Sequence, residues 1–319
     1  MPVAQLAHPQ LRQHGQQGEQ AGGAGRAQKR TGRGHGAVLC LQAAPLGGSA
    51  RAVVATLALH QVIRWARLGY SASGRPFGTA FVNVLPVPLD LSRIRAVSLD
   101  LDDTLWPVWP TIARAETALQ NWLASNAPAT HALYARAQVR QALRAQAAQN
   151  LGQAHDMSAL RQESIRLALV QAGEDAQLAG AAFEVFLAER QRVELFDDAL
   201  PALNYLSRRY PLVALSNGNA DVSRIGLQRF FTASVGAREV GCAKPDVRMF
   251  QHAAQRLGVP ADQVLHVGDD PHHDGVGALG AGMQMAWLNR SAKPWNHAPW
   301  APHLTVAGLD ALCLHLAQA

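Results

Sequence analysis

Residues 99–106, LDLDDTLW, decide how the rest of the chain reads. They close an apolar run, Ile94 to Leu99, broken only by Arg95 and Ser98, and then place carboxylates at Asp100, Asp102 and Asp103 ahead of the Thr104 hydroxyl. An apolar run this short, bounded by polar residues, predicts a buried strand. The acids then lie just past its C-terminal end, where open α/β sheets bind ligands. Crowded carboxylates repel one another, so the cluster costs stability unless a cation or a reaction uses it.

Downstream, strand and helix patterns alternate. A helix over Asp198–Arg208 leads to a strand, Leu212–Leu215, ending in SNGN (216–219). A helix reaching Phe230 precedes a short strand, Ala233–Gly236, and CAKPD (242–246) opens a helix with Met249, Phe250, Ala253, Ala254 and Leu257 on one face. A strand over Val264–Val267 ends in GDDPHHD (268–274), a helix closes at Gly282, and a strand over Gln284–Leu288 completes the set. Such alternation predicts an α/β fold with a doubly wound parallel sheet.

Between the first strand and the second the period changes. LWPVWP (105–110) carries two prolines, which rule out continuous helix and suggest a linker. Four helical stripes follow: Ile112, Ala115, Leu119, Trp122 and Leu123; Leu133, Ala137, Arg140 and Arg144; Leu160, Ile165, Ala168, Leu169 and Ala172, ended by Gly173; Leu178, Phe183, Phe186, Leu187 and Arg190. They predict a helical domain over 111–193 inserted into a core domain formed by 86–110 and 194–319.

Upstream, residues 1–85 hold nine Lys or Arg against one acid, Glu19, a balance of +8 that leaves −2 for residues 86–319 of a chain at +6. The basic charge belongs to the first quarter, so a basic nucleic-acid face on the folded part is not expected. Residues 1–36 are low in complexity and poor in aliphatic residues larger than Ala, which predicts disorder. Residues 1–85 as a whole read as a disordered or non-native extension without a structural role; a basic tail touching RNA or an anionic membrane is the sharper alternative. The stretch from Ala37 to Ile63 is interrupted by Gln42, Pro45, Gly47, Gly48 and Arg51, so no membrane-spanning helix is expected. Cys40, Cys242 and Cys313 show no metal-type spacing and suit free thiols in a reducing, cytoplasmic setting.

Four polar groups thus fall in four loops that follow strands, on one edge of one sheet: Asp100 with Asp102, Ser216, Lys244, and Asp269 with Asp274. Taken singly, each is equally a cap, a tight turn or a helix start. Asp100-Leu101-Asp102-Asp103-Thr104, Ser216, Lys244-Pro245 and Gly268-Asp269 to Asp274 resemble the four ordered motifs of the haloacid dehalogenase superfamily, over residues 94 to about 310. The helical insert is similar to the small helical cap of its first subfamily, beside a Rossmann-like core. LHVGDDPHHD, GAGMQMAWLNR and ALSNGNAD resemble a bacterial branch of phosphatases acting on flavin mononucleotide or on 5-amino-6-(5-phospho-D-ribitylamino)uracil, an intermediate of riboflavin biosynthesis. His273 departs from the pattern, standing where Asn is common.

The resemblance implies a Mg²⁺-dependent phosphatase acting on a small phosphorylated molecule through an aspartyl phosphate. Asp100 would be the nucleophile, and Asp102 would protonate the leaving oxygen and later deprotonate water. Asp100, Asp269 and the Asp102 backbone carbonyl would hold Mg²⁺. Ser216 and the Asn217 amide would hold phosphate oxygens, while Lys244 would neutralise charge, oriented by Asp274. Asp270 would be a more distant metal partner. An acid at Asp102 disfavours a dehalogenase, because a halide leaves without a proton; a phosphomutase shares the acid. A non-catalytic binding module on the same fold would lack a chemical residue, and none is missing.

Three features admit two readings each. His272 and His273 suggest zinc, although a Mg²⁺ site prefers oxygen and loop histidines are commonly simple surface residues. Arg136, Arg140 and Arg144 form either a solvated face or an anion-greeting row. Trp106 and Trp109 either stack on a substrate ring or pack a hinge.

Overall fold

The computed structural model describes residues 87–152 and 154–318; the expected basic extension lies outside them. Six strands form one sheet: β1 (Ala96–Leu99), β2 (Leu212–Ser216), β3 (Ala233–Gly236), β4 (Val264–Gly268), β5 (Gln284–Leu288) and β6 (Leu304–Val306). Their order is β3-β2-β1-β4-β5-β6, and each neighbouring pair runs parallel. The chain moves outward from β1 through β2 to β3, then crosses back to β4 on the other side of β1. That reversal makes the crevice at the C-terminal ends of β1 and β4 the natural ligand site.

Alternation along the strands explains the two covered faces. Val97 and Leu99 of β1, with Leu265 and Val267 of β4, share one core with Leu203 and Leu206; Ala96, Val264 and Met285 share the other with Met249, Phe250 and Ala253. Because both faces are buried, the strands read as near-continuous apolar runs. β6 is missing from the strand pattern in the sequence: three residues at the sheet edge are too few to display a period.

The helices are α1 (Val108–Asn126), α2 (Pro128–Tyr134), α3 (Ala137–Leu151), α4 (Met157–Ala172), α5 (Leu178–Arg190), α6 (Ala199–Ser207), α7 (Val222–Ile225), α8 (Ala237–Val240), α9 (Val247–Leu257), α10 (Gly277–Gly280) and α11 (Leu309–Leu316). A π-helical turn, Pro271–Val276, precedes α10. Six helices lie between β1 and β2, and the insert, α1 to α5, therefore holds five helices, not the four expected. The second stripe is the one that fails. Helix breaks after Tyr134, and the Arg140 guanidinium donates to the carbonyls of Tyr134 and Ala135 at 2.7 and 2.8 Å, satisfying acceptors the break exposes. Leu143 and Ala147 face the core of the insert, while Arg144 does not.

The linker expected over 105–110 is also corrected. Helix α1 begins at Val108, with Pro107 capping it and Pro110 inside its first turn. First-turn amides have no intrahelical acceptor, so proline there removes no bond. Asp103 supplies the missing cap: its Oδ1 accepts from Val108 N at 2.8 Å, while its backbone holds a φ of 58° that Asp tolerates better than most residues. Further on, Asp156 caps α4 by accepting from Ala159 N at 2.9 Å, and Gly173 ends it at φ 73°.

Candidate active site

Asp100 follows β1 directly and is 6% exposed. Its Oδ1 accepts from Lys244 Nζ at 2.5 Å, and the same ammonium donates to Asp274 Oδ1 at 2.6 Å. Lys244 reaches this point from the loop after α8, and Asn217 clamps that loop. Lys244 N donates to Asn217 Oδ1 at 2.7 Å, and Asn217 Nδ2 donates to Lys244 O at 3.0 Å. Burial by itself would weaken the Lys244 ammonium, but the two carboxylates outweigh it and hold the group above its ordinary value. Burial raises Asp100, in part opposed by Lys244. Asp274 is held low by Lys244 and His266 despite its own burial.

Behind Asp274 lies a residue that the sequence reading passed over. His266, fully buried on β4, bonds through Nε2 to Asp274 Oδ1 at 3.2 Å and through Nδ1 to Ser98 Oγ at 3.1 Å. An ionised carboxylate only accepts, so Nε2 carries the proton and Nδ1 accepts from Ser98. Burial lowers the His266 pKa, which keeps the ring neutral. The signal was present in VLHVG: a histidine at a strand position buried on both sides needs a partner.

Asp100, Asp269 and Asp274 each offer a carboxylate oxygen, all within 4.8 Å of one another. Asp269 is pushed up to about 8, first by burial and then by Asp100, Asp274, Asp103 and Asp270. Three acids against the single Lys244 ammonium form a donor set that fits a hard divalent cation. Asp274 is already committed, with Oδ1 on Lys244 and His266 and Oδ2 accepting from Asp270 N at 3.0 Å. The Asp269 carboxylate and the second oxygen of Asp100 accept nothing from the described side chains and remain the available ligands, while the Asp269 carbonyl accepts from Trp287 Nε1 at 2.9 Å. Asp270, next to Asp269, caps the π-turn: its Oδ1 accepts from His272 N and His273 N at 2.8 and 2.7 Å. Those bonds and the nearby His273 outweigh its burial and lower its pKa. His272 and His273 lie outside the acidic cluster, and the His273 ring pairs with Asp270 at 3.3 Å.

Asp102 is separated from that cluster. Arg190 Nη2 donates to both of its oxygens at 2.7 Å, and Trp106 Nε1 donates to Oδ1 at 2.8 Å. Trp106 is fully buried, so of the two tryptophans it is the hinge packer. Trp109 is 74% exposed and stands between two openings. One, a cavity of about 250 Å³, is lined by Asp102, Val108, Trp109, Ile112, Arg144, Met157, Arg161, Phe186, Arg190, Gly218 and Asn219. The other, of about 370 Å³, is lined by Asp103, Trp109, Phe196, Asp269 and the 288–293 loop. Of the arginine row, Arg136 is exposed, Arg140 caps α2, and Arg144 pairs with Glu116 at 2.6 Å beside the first cavity. Ser216 ends β2 with its Oγ accepting from Gly218 N at 2.9 Å.

Fold and site together define a doubly wound α/β hydrolase whose polar groups gather at the strand ends. The chain belongs to the haloacid dehalogenase-like hydrolase family, which matches residues 94–282. It is 33% identical to the 5-amino-6-(5-phospho-D-ribitylamino)uracil phosphatase YigB of Escherichia coli over 70% of this chain and 96% of that protein. It is 34% identical to a phosphoserine phosphatase of Thermus thermophilus over 48% of this chain and 64% of that one. Among solved structures, a 2-haloacid dehalogenase from Pseudomonas syringae aligns with a TM-score of 0.67 at 37% identity, over 70% of this chain and 99% of its own. No helix among the described residues is long and apolar enough to cross a membrane.

Proposed function

We propose that this hydrolase is a phosphatase of small-molecule phosphate monoesters. The observation that carries the reading is the division of labour between two acids two residues apart. Asp100 lies against Lys244 and Asp269, whereas Asp102 faces a separate cavity large enough for a leaving group. In this reading the free oxygen of Asp100 attacks phosphorus, and the bond to the leaving oxygen breaks as Asp102 gives that oxygen its proton. Water, deprotonated by Asp102, then attacks the phosphorus of the aspartyl phosphate and releases phosphate and Asp100. Ser216 and the Asn217 amide hold phosphate oxygens, and Lys244, kept in place by Asp274, offsets the charge that builds. Asp100, Asp269 and the Asp102 carbonyl would hold Mg²⁺, which when bound supplies further neutralisation of the phosphate. Residues 111–193 act as the cap that closes over the substrate, and residues 86–110 with 194–319 as the core.

A dehalogenase reading has the structural neighbour in its favour, but an acid held at Asp102 has no task when a halide departs. The likeness to the ribitylaminouracil phosphatase supports that compound, or flavin mononucleotide, as the substrate. The test is hydrolysis of p-nitrophenyl phosphate with Mg²⁺ by wild type and Asp102→Asn. Wild type should turn over, lose activity with EDTA and yield a phosphorylated Asp100 on acid quench; the variant should be inactive while folded. Turnover retained by Asp102→Asn would sink the assignment.

A further inference from the structure

Arg190 ends α5, the last helix of the insert, and is 1% exposed. A buried guanidinium is expensive unless its donors are used. Here Nη2 serves both oxygens of Asp102 at 2.7 Å, and Nη1 has no partner among the described residues. The neighbouring Gln191 ties the same end of the helix to the loop after β2. Its Nε2 donates to Asn219 O at 3.1 Å, and its Oε1 accepts from Asp221 N at 2.7 Å. The exit of the insert is thus registered against two core loops at once. Gly218 completes the cradle, since a Cβ there would stand 2.7 Å from Asp102 Oδ2 and 3.5 Å from Arg190 Nη2. With Trp106 Nε1 on Oδ1, the Asp102 carboxylate is held from several sides and cannot rotate freely.

We infer that Arg190 is the positioning residue for Asp102: it aims the carboxylate at the leaving oxygen, so that proton transfer depends on the insert being docked. The inference rests on the reading of Asp102 as the group that moves the proton. Arg190 lines the same cavity as Asp102, so the pair stands where a leaving group would sit. A carboxylate that is misaimed by even an ångström loses much of its effect on a step that requires alignment. The loss must be greatest where the leaving oxygen most needs a proton. Alkoxides need it, and p-nitrophenolate needs it far less.

The experiment compares wild type, Arg190→Met, Arg190→Lys and Gly218→Ala with Mg²⁺ on p-nitrophenyl phosphate, phenyl phosphate and glycerol phosphate, with circular dichroism and thermal melts recorded for each. For Arg190→Met, kcat/KM, which reports the steps through departure of the leaving group and not the common hydrolysis of the aspartyl phosphate, should fall about tenfold or more further on glycerol phosphate than on p-nitrophenyl phosphate, given that acid–base assistance contributes about 10²–10⁴-fold. A plot of log kcat/KM against leaving-group pKa should steepen accordingly. Arg190→Lys should recover part of the difference, because a lysine brings the charge and a donor nitrogen but not the planar guanidinium that holds Nη2 between the two oxygens. Gly218→Ala, whose Cβ would stand 2.7 Å from Asp102 Oδ2 and also 3.3 Å from Ser216 Oγ, should steepen the plot on top of a fall common to all three esters. Equal falls on all three esters, or an unchanged plot in every folded variant, would overturn the inference while leaving the phosphatase reading intact. A wild type inactive on all three, or an active Asp102→Asn, would overturn both.

Discussion

Among the described residues Lys244 is the only cation in contact with Asp100, and it stands between that acid and Asp274 with all three nearly sealed from water. A buried pair of this kind contributes little net stability while complete, yet losing one partner strands a charge. Asp274 is held in turn by His266, which is held by Ser98, so the ammonium sits at the end of a rigid chain of side chains. Gly268 belongs to the same arrangement, because a Cβ there would come within 2.3 Å of Asp274 Cγ. We predict that Lys244→Ala costs about 3–5 kcal/mol of stability in urea denaturation with EDTA present. It should lower kcat on p-nitrophenyl phosphate by about a hundredfold or more with Mg²⁺ present. Mg²⁺ should recover part of the stability, since a cation can offset the stranded acids, but not the rate. A variant as stable as wild type without metal would show that the carboxylates do not need the ammonium.

At the scale of elements, the entry to α6 is where three separate segments meet. Asp198 accepts from Arg290 Nη1 and Nη2, both at 2.9 Å, and from Leu309 N at 2.8 Å at the start of α11. Burial would raise this carboxyl, but the Arg290 fork and the Leu309 amide outweigh it and the group lies below its ordinary 3.8. The folded state therefore binds the proton more weakly than the unfolded chain. The stabilisation is complete above that ordinary value and disappears as pH falls through the folded one. Asp198→Asn should cost about 2 kcal/mol at pH 7. The gap from wild type should narrow below about pH 4, measured as urea midpoints at several pH values. A gap constant down to pH 2.5 would rule out the charge as its source.

Elements such as these also mark what the sequence could and could not disclose. The β1 and β4 runs and the β5 boundaries were legible because a strand covered on both faces is apolar throughout, whereas Lys244 was legible only from the joint order of the four loops, since CAKPD alone reads as a helix start. Arg190 was read only as one member of a helical stripe; its role depends on a contact 88 residues away, and no local period encodes that. The break at Ala135–Arg136 was hidden because arginines at spacing four imitate one continuous face, whereas Arg140 actually turns back to cap α2. The Asp198–Arg290 fork was likewise invisible, lying between two loops 92 residues apart.

At the scale of the whole molecule, the described residues bury three apolar clusters, one on each face of the sheet and a third within the insert. The third is built from Ala115, Leu119 and Leu123 of α1 with Ile165 and Leu169 of α4 and Phe183 and Phe186 of α5, and it shares no buried residue with the sheet. An element with its own core can open without unfolding the rest, which is what a substrate-admitting segment requires. Its polar ties to the sheet side among the described residues include Arg190 on Asp102, Gln191 on Asn219 and Asp221, the Asn219 amide donating to Ser158 Oγ at 3.3 Å, Arg238 paired with Asp156 at 3.4 Å and Arg114 with Glu194 at 3.1 Å. We predict that Leu123→Ala, at a fully buried site in the middle of that third cluster, costs about 2–5 kcal/mol locally. Amide hydrogen exchange should then accelerate throughout 108–190 while β1, β2 and β4 keep wild-type protection. Leu99→Ala, cut into the sheet core instead, should accelerate exchange in the strands and the insert together, because the insert is anchored at both ends on the sheet. Uniform acceleration by Leu123→Ala would show that the insert and the sheet unfold as one cooperative unit, and that admission of substrate cannot proceed by local opening of these helices.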